Sequence, residues 1–453
     1  MATFYVENFG CRATQADGAA LERDLEARGL GRAKRAREAG LVVLNSCTVT
    51  AAADRDVRAA IRRIHRENPE CRILVTGCYA QRAPQELAGL EGVSWVVGNS
   101  HKHQVAEIAT GSGFVPLAQV AASASTFVGD IFAHTQLLAA PVFGAGSDHT
   151  RPNLKVQDGC DNRCSFCIIP YVRGQSRSLR REEVLRQVRA LVAAGYREVV
   201  ISGINLGRWG RDLEPESRFE KLVRAILDET GLEKLRLSSV EPMDWTDELI
   251  ELLAASPRVA RHAHVPLQTG SDRILRAMHR KYRPWHYAER VRKIRAAMPA
   301  AAIGADVMVG FPGESEPDFE ESRAFIASLP FTYLHVFTYS SRPGTPSAEM
   351  PQQVPVGVAR ERNRALRALA AEKNLAFRQS FVGRTLEAIT LNESAGEWTE
   401  ALSDNYLKLR LRGRHEANRW VRAEIEATTG DGLAGSSGDS VPPLKGFGGL
   451  LAP

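Results

Sequence analysis

Six times between residues 151 and 375 a short apolar run is followed by a helix-compatible stretch, an order that fits a parallel sheet carrying its helices outside. The runs are 154–157, 198–202, 234–238, 263–267, 303–309 and 333–339, and a long basic stretch, 360–376, closes the series. They predict an α/β architecture with a central partial (β/α)6 barrel over 150–376, whose functional groups belong at the C-terminal strand ends. Residues 1–115 alternate in the same way around 4–6, 41–44 and 73–75, which predicts a separate N-terminal parallel α/β domain. The segment 116–149, rich in Ala, Ser and Gly, reads as a linker. From 379 to 429 the pattern becomes short alternating strands at 385–391, 406–411 and 420–425, the size of a small C-terminal β-barrel. The Gly-, Ser- and Pro-rich stretch 430–453 reads as a disordered tail.

The chain of 453 residues has room for these units, and with 44% hydrophobic and 25% charged residues it is neither disordered nor fibrous. The N-terminus has no basic segment followed by an apolar one, and no run approaches a membrane span, so a cytoplasmic protein without a membrane partner is expected. Seven cysteines in such a compartment point to metal or catalysis rather than to disulfides.

Cys160, Cys164 and Cys167 lie in the run Gly-Cys-Asp-Asn-Arg-Cys-Ser-Phe-Cys, directly after the first barrel strand. Three thiolates on one tight loop can hold three corners of an iron-sulfur cluster and leave one iron open, as a reactive centre requires. The competing reading, zinc on Cys164 and Cys167, lacks a second close Cys or His pair. Cys11, Cys47 and Cys78 each follow a strand run and a small residue (Gly10, Ser46, Gly77), so parallel pairing brings them to one crevice as a second three-thiolate site. The alternative for these three is ordinary core packing. Cys71 starts the strand that ends before Cys78 and lies roughly 20 Å away, so it is structural. His262 and His264 alternate on one strand face and read as a satisfied interior pair.

These motifs, with Ile168-Ile169-Pro170 after the loop, resemble the radical S-adenosylmethionine superfamily and within it the methylthiotransferases, with a terminal module similar to a TRAM domain. The resemblance implies two 4Fe-4S clusters. One, at Cys160, Cys164 and Cys167, would bind S-adenosylmethionine and cleave it reductively to a 5′-deoxyadenosyl radical. The other, at Cys11, Cys47 and Cys78, would hold or deliver sulfur, and a second S-adenosylmethionine would give the methyl group. Strand-end placement offers Gly203, Asn205, Glu241, Gln268 and Gly310 as cofactor contacts, each also readable as a turn or packing residue. No catalytic residue is assigned. Thr14 stands where the family usually has Asn, which implies a changed environment for Cys11.

The family acts on isopentenyladenosine in tRNA, on threonylcarbamoyladenosine in tRNA, or on an aspartate of a small-subunit ribosomal protein. The stretches Ser238–Glu241, His264–Ser271, Arg280–Tyr282 and Ser403–Tyr406 look most like the threonylcarbamoyladenosine type. Charge points the same way: Lys plus Arg is 59 against 53 for Asp plus Glu, a net +6. Lys408, Arg410, Arg412 and Arg414, with Arg419 and Arg422, face only Glu416 between 408 and 422, which offers a basic strand face to RNA or simply to solvent. Arg173, Arg177, Arg180 and Arg181 offer a second basic run beside the cysteine loop. The expected partners are tRNA, an electron donor such as flavodoxin or ferredoxin, and a sulfur donor. The rival from another class is a non-catalytic iron-sulfur RNA-binding redox sensor.

Overall fold

The computed structural model describes residues 2–111, 124–133 and 150–440. The first unit is a six-stranded parallel sheet of β1 (Thr3–Asn8), β2 (Gly31–Arg32), β3 (Leu41–Ser46), β4 (Arg72–Gly77), β5 (Val93–Gly98) and β6 (Ser125–Phe127), in the order β2-β1-β3-β4-β5-β6. Every residue of β3 is buried, as expected of a parallel strand covered on both faces. Leu21 and Leu25 of the helix Arg12–Ala27 pack with Phe4, Val43 and Val97 on one side, while Val57, Ile61 and Ile64 of Ala51–Glu67 pack with Val42, Leu44 and Val75 on the other. The linker expectation fails for Ser125–Phe127: hydrogen bonding to β5 makes this short run the edge strand of the sheet. The remainder of 116–149, apart from 124–133, lies outside the described residues.

The central unit is built on β7 (Asn153–Asp158), the short antiparallel β8 (Arg177–Ser178), β9 (Glu198–Gly203), β10 (Lys234–Leu237), β11 (His262–His264), β12 (Ala302–Val309) and β13 (Tyr333–Thr338). Two sheets, β10-β9-β7-β8 and β11-β12-β13, are joined by the parallel bridges Leu235↔Val259 and Ser239↔His264 into an open six-stranded (β/α)6 arc. Its outward-facing Leu154, Val156, Val199, Ile201, Leu235, Ile303 and Val307 share one large core with the surrounding helices. β11 is shorter than the run 263–267, because Pro266 cannot donate to a ladder.

The N-terminal unit lies across the open side of the arc. Asn153 Nδ2 in β7 donates to the Arg12 carbonyl (2.8 Å), and beyond β13 Arg342 Nη1 pairs with Asp54 (2.7 Å) while Ser340 Oγ accepts from the Ala51 N–H (3.0 Å).

The C-terminal unit is a closed barrel, β14 (Thr385–Ala395), β15 (Trp398–Ser403), β16 (Lys408–Arg412), β17 (Trp420–Thr428) and β18 (Leu433–Ser440), ordered β14-β15-β16-β18-β17. β18 corrects the expected tail. Its Gly/Ser composition resembles disorder, yet a Cβ at Gly435 would run into the Glu424 carbonyl, so small residues are what let this strand close against β17 while Leu433 fills the core. Residues 441–453 of that stretch lie outside the described residues. The barrel docks under the N-terminal ends of the central strands. Arg236, wholly buried, holds Glu198 (2.6 Å) and donates to the carbonyls of Asp404 (3.1 Å) and Ser403 (3.4 Å). Asn405 Nδ2 reaches the Ala300 carbonyl (3.2 Å). The Ser403–Tyr406 stretch is therefore a docking turn. Among the described residues no helix is long and apolar enough to cross a membrane.

Candidate active site

β7 ends at Asp158, and Gly159 (φ +71°) turns the chain so tightly that a Cβ there would meet the Gln175 carbonyl. The following loop is pinned by Cys160 N–H to the Gly174 carbonyl (3.0 Å), Cys167 N–H to the Cys164 carbonyl (3.1 Å), and Ser165 to the carbonyls of Met278 (3.1 Å) and Ala277 (2.7 Å). Burial, then the neighbouring Cys164, pushes the Cys167 thiol up to about 12; burial likewise raises Cys160 to about 11. Two donors reach the sulfurs: Asn205 Nδ2 to Cys160 Sγ (3.6 Å) and Arg280 Nη1 to Cys164 Sγ (3.2 Å). Glu241 fixes Arg280 through an ion pair. The sequence offers Arg280 only within the Arg280–Tyr282 stretch and without a role, since nothing local ties residue 280 to the loop; the fold brings it to Cys164.

The second set forms as strand-end geometry predicts. Cys11 caps the helix Arg12–Ala27, Cys47 follows β3, and Cys78 opens the helix Cys78–Arg82 after β4. Gly10 (φ +105°) is required by closeness, since its Cβ would lie 2.6 Å from Cys47 Cβ. Burial, then Cys78, pushes Cys47 up to about 12, with Cys11 adding to the rise. Asn99 Nδ2 donates to Cys78 Sγ (3.5 Å), and Thr14 Oγ1 lies 3.6 Å from Cys11 Sγ, so the threonine still serves that sulfur. Cys78 packs against Ile168, Ile169 and Val172, the residues just beyond Cys167, so the two thiol sets share one wall. Cys71 sits in the apolar core with Val42, Ile61 and Ile64.

Between the sets runs a buried ionic network. Asp17, 1% exposed, takes Lys102 (2.9 Å), Lys155 and Arg173 (3.1 Å), and Asp158 takes Lys155 (2.8 Å) and Arg173 (2.9 Å). Burial raises the Asp17 carboxyl, but the three cations outweigh it and hold it at about 2. Arg173 is thus a buried structural cation, contrary to its expected place in an exposed basic run, because two carboxylates compensate it.

A model of the Radical SAM superfamily matches residues 154–326, and one of the Uncharacterized protein family UPF0004 matches residues 3–98. The threonylcarbamoyladenosine tRNA methylthiotransferase MtaB of Bacillus subtilis is 37% identical over 425 residues, covering 92% of each chain. The chain belongs to the radical S-adenosylmethionine methylthiotransferase family. The MtaB protein of Aquifex aeolicus is 36% identical (92% of this chain, 99% of that one), and a tRNA-2-methylthio-N(6)-dimethylallyladenosine synthase of Thermobifida fusca is 34% identical (97% and 86%). Among solved structures the radical S-adenosylmethionine methyltransferase TsrM of Kitasatospora setae superposes with a TM-score of 0.57 at 15% identity over 87% of this chain and 79% of that chain, a likeness of fold alone.

The family's cofactors are S-adenosylmethionine and two 4Fe-4S clusters, and the residues present fit them. Thiols held neutral by burial, as at Cys47, Cys160 and Cys167, give up their protons when a metal takes the proton's place. At the C-terminal strand ends Ser202 Oγ, Asn205 Oδ1, Ser238 Oγ and Gln268 Oε1 are buried without a hydrogen-bond partner among the described residues, as a polar cofactor would require. Of the five expected contacts, Asn205 and Gln268 carry such unpartnered buried atoms, and Glu241 is paired with Arg280. Gly203 abuts Gln157. Gly310 (φ +76°) gives its N–H to Glu314 (2.7 Å) and packs on Ala359, so its N–H is already used within the protein.

On β16 Leu409 and Leu411 are buried and Lys408, Arg410 and Arg412 are exposed, with Arg414 exposed beyond the strand. The sequence window missed the acids supplied from elsewhere in the barrel: Lys408 pairs with Asp431 in the turn before β18 (2.8 Å), Arg410 with Glu400 of β15 (3.0 Å) and Arg412 with Glu426 of β17 (3.7 Å).

Proposed function

We propose that this protein methylthiolates N6-threonylcarbamoyladenosine beside the anticodon of tRNA, inserting sulfur and then transferring a methyl group. The carrying observation is the pair of three-thiol sets on either side of Ile168, Ile169 and Val172, supported by close likeness to relatives named for this reaction. When bound, the clusters and S-adenosylmethionine supply reductive cleavage, sulfur and methyl groups. The chain's own residues hold and shield them. Cys160, Cys164 and Cys167 offer three ligands at the barrel mouth, and Cys11, Cys47 and Cys78 offer three across the wall. Asn205 and Arg280 donate to cysteine sulfurs, which stabilises negative charge there. Ser202, Asn205, Ser238 and Gln268 orient S-adenosylmethionine, Gly203 leaves room for Gln157, and the N-terminal unit keeps bulk water from the open side of the arc. Lys408, Arg410, Arg412 and Arg414 track the RNA backbone, with the paired acids releasing them to phosphate. Electrons come from a carrier such as flavodoxin or ferredoxin, and sulfur from a separate donor, in the cytoplasm where tRNA is processed.

The test is anaerobic turnover of the cluster-loaded protein with S-adenosylmethionine, a reductant and tRNA carrying either N6-threonylcarbamoyladenosine or isopentenyladenosine. The proposal expects 5′-deoxyadenosine and methylthio product with the first tRNA. Product only on the second contradicts the substrate, and RNA binding without any S-adenosylmethionine cleavage supports the redox-sensor reading instead.

A further inference from the structure

On the inner face of the arc, below the cofactor end, lies a side-chain cluster that the methylthiolation chemistry above does not use. His264 on β11, Asp306 on β12 and His335 on β13 face one another across paired strands, in the registers His264↔Gly304 and Asp306↔His335. His264 Nε2 is 3.2 Å from Asp306 Oδ2, and His335 Nδ1 is 3.3 Å from Asp306 Oδ1. All three donor atoms lie within 4.8 Å of one another.

Three features distinguish the cluster from an ordinary buried hydrogen-bond set. First, His264 is 5% exposed, and its Nε2 makes no well-aligned hydrogen bond among the described residues although Asp306 Oδ2 stands 3.2 Å away as an ion-pair partner. A buried ring nitrogen beside a carboxylate without a well-aligned hydrogen bond is better satisfied when a cation joins the two groups. Second, separations of roughly 3.0–3.5 Å are those between neighbouring ligands around an ion bound at about 2.1 Å. Third, the other ring nitrogen of His264, Nδ1, is held by the Tyr333 hydroxyl (3.0 Å), which also binds His262 Nε2 (2.7 Å). A fixed far nitrogen is how metal-binding imidazoles are oriented. Two imidazoles and one carboxylate suit first-row divalent ions such as Mn²⁺, Fe²⁺ or Zn²⁺, and they leave coordination positions open.

We propose that His264, Asp306 and His335 form a binding site for a divalent first-row metal ion, separate from the six cluster cysteines. His335, the exposed member, lines a cleft of about 880 Å³ between the central arc and the C-terminal barrel, together with Tyr333, Tyr406, Lys408 and Arg410. The ion reaches its site through that cleft. Resting on the function proposed above, the open positions take oxygen atoms of the threonylcarbamoyl substituent, whose free carboxylate Asp306 alone would repel.

The test uses the cluster-loaded enzyme and Mn²⁺, whose free form gives a six-line electron paramagnetic resonance signal. Wild type should remove one equivalent of that signal. His264→Gln and the exposed-site variant His335→Ala should each weaken binding by about tenfold or more at unchanged iron content, which reports intact folding. Equal binding in wild type and variants, or none up to about 1 mM, overturns the site. Adding N6-threonylcarbamoyladenosine nucleoside, but not adenosine, should alter the bound Mn²⁺ spectrum. A spectrum that the nucleoside leaves unmoved keeps the ion and overturns its role toward substrate.

Discussion

Asp17→Asn is the substitution by which the seating of the N-terminal unit on the arc is best examined. Among the described residues Asp17 is the only carboxylate bonded to Lys102, which is 4% exposed, and it shares Lys155 and Arg173 with Asp158. Asparagine keeps the shape but leaves a buried ammonium with no anionic partner, at a cost of about 3–5 kcal/mol. Titration gives a separate bound. Holding the carboxyl at about 2 against an ordinary 3.8 corresponds to about 2 kcal/mol of stabilisation. That contribution is fully present above the unfolded-state value and is lost as the pH falls from about 4 through about 2. Hydrogen exchange read by mass spectrometry at neutral pH is the assay, because it reports opening segment by segment. In Asp17→Asn the segments 12–27 and 99–104 should exchange roughly a hundred- to several-thousand-fold faster than wild type. Lys102→Met removes the stranded ion, so the double variant should recover about 1–3 kcal/mol relative to additivity. Acceleration by less than about threefold, or a double variant that is merely additive, would refute the view that this network seats the two units.

Replacing Cys160, Cys164 or Cys167 with Ala should remove the iron of one cluster, and replacing Cys11, Cys47 or Cys78 that of the other, whereas Cys71→Ala in the apolar core should leave iron content nearly unchanged by elemental analysis. Arg280→Met strips a cation from Cys164 Sγ and should lower the midpoint potential of the barrel-mouth cluster in an electron paramagnetic resonance redox titration; an unmoved potential would show that the contact carries no electrostatic weight. Asn405→Ala loses the bonds to Ser403 and Ala300 and should loosen barrel docking by about 1–3 kcal/mol, seen as earlier proteolytic release of the C-terminal unit. Ending the chain at Thr429 deletes β18 and should unfold that barrel by circular dichroism, where removal of a mere tail would change nothing.

The sequence was legible where one residue's neighbours decide its structure. Runs such as Glu198–Gly203 and Ala302–Val309 are apolar, short and bounded by turns, so their strands could be read within a residue or two. The cysteine loop is legible because its three ligands are contiguous, and Cys11, Cys47 and Cys78 because strand ends in a parallel sheet must converge. What escaped depends on long-range partners. Ser125–Phe127 is a strand only because Trp95–Val97 offers an edge to it, and Leu433–Ser440 only because Glu424 approaches too closely for larger side chains. Arg280 looks like a surface residue until the fold carries it to Cys164, and Arg173 like an RNA contact until Asp17 and Asp158 enclose it. The acids that offset β16 are on β15, on β17 and in the turn before β18, so a count along 408–422 could not register them.

The most direct measurement is mass spectrometry of nucleosides from tRNA of cells with and without this protein. Methylthio-N6-threonylcarbamoyladenosine present only with the protein, and lost in the Cys160→Ala and Cys78→Ala variants, is the predicted result. The methylthio group persisting without the protein, or appearing on isopentenyladenosine instead, would contradict it.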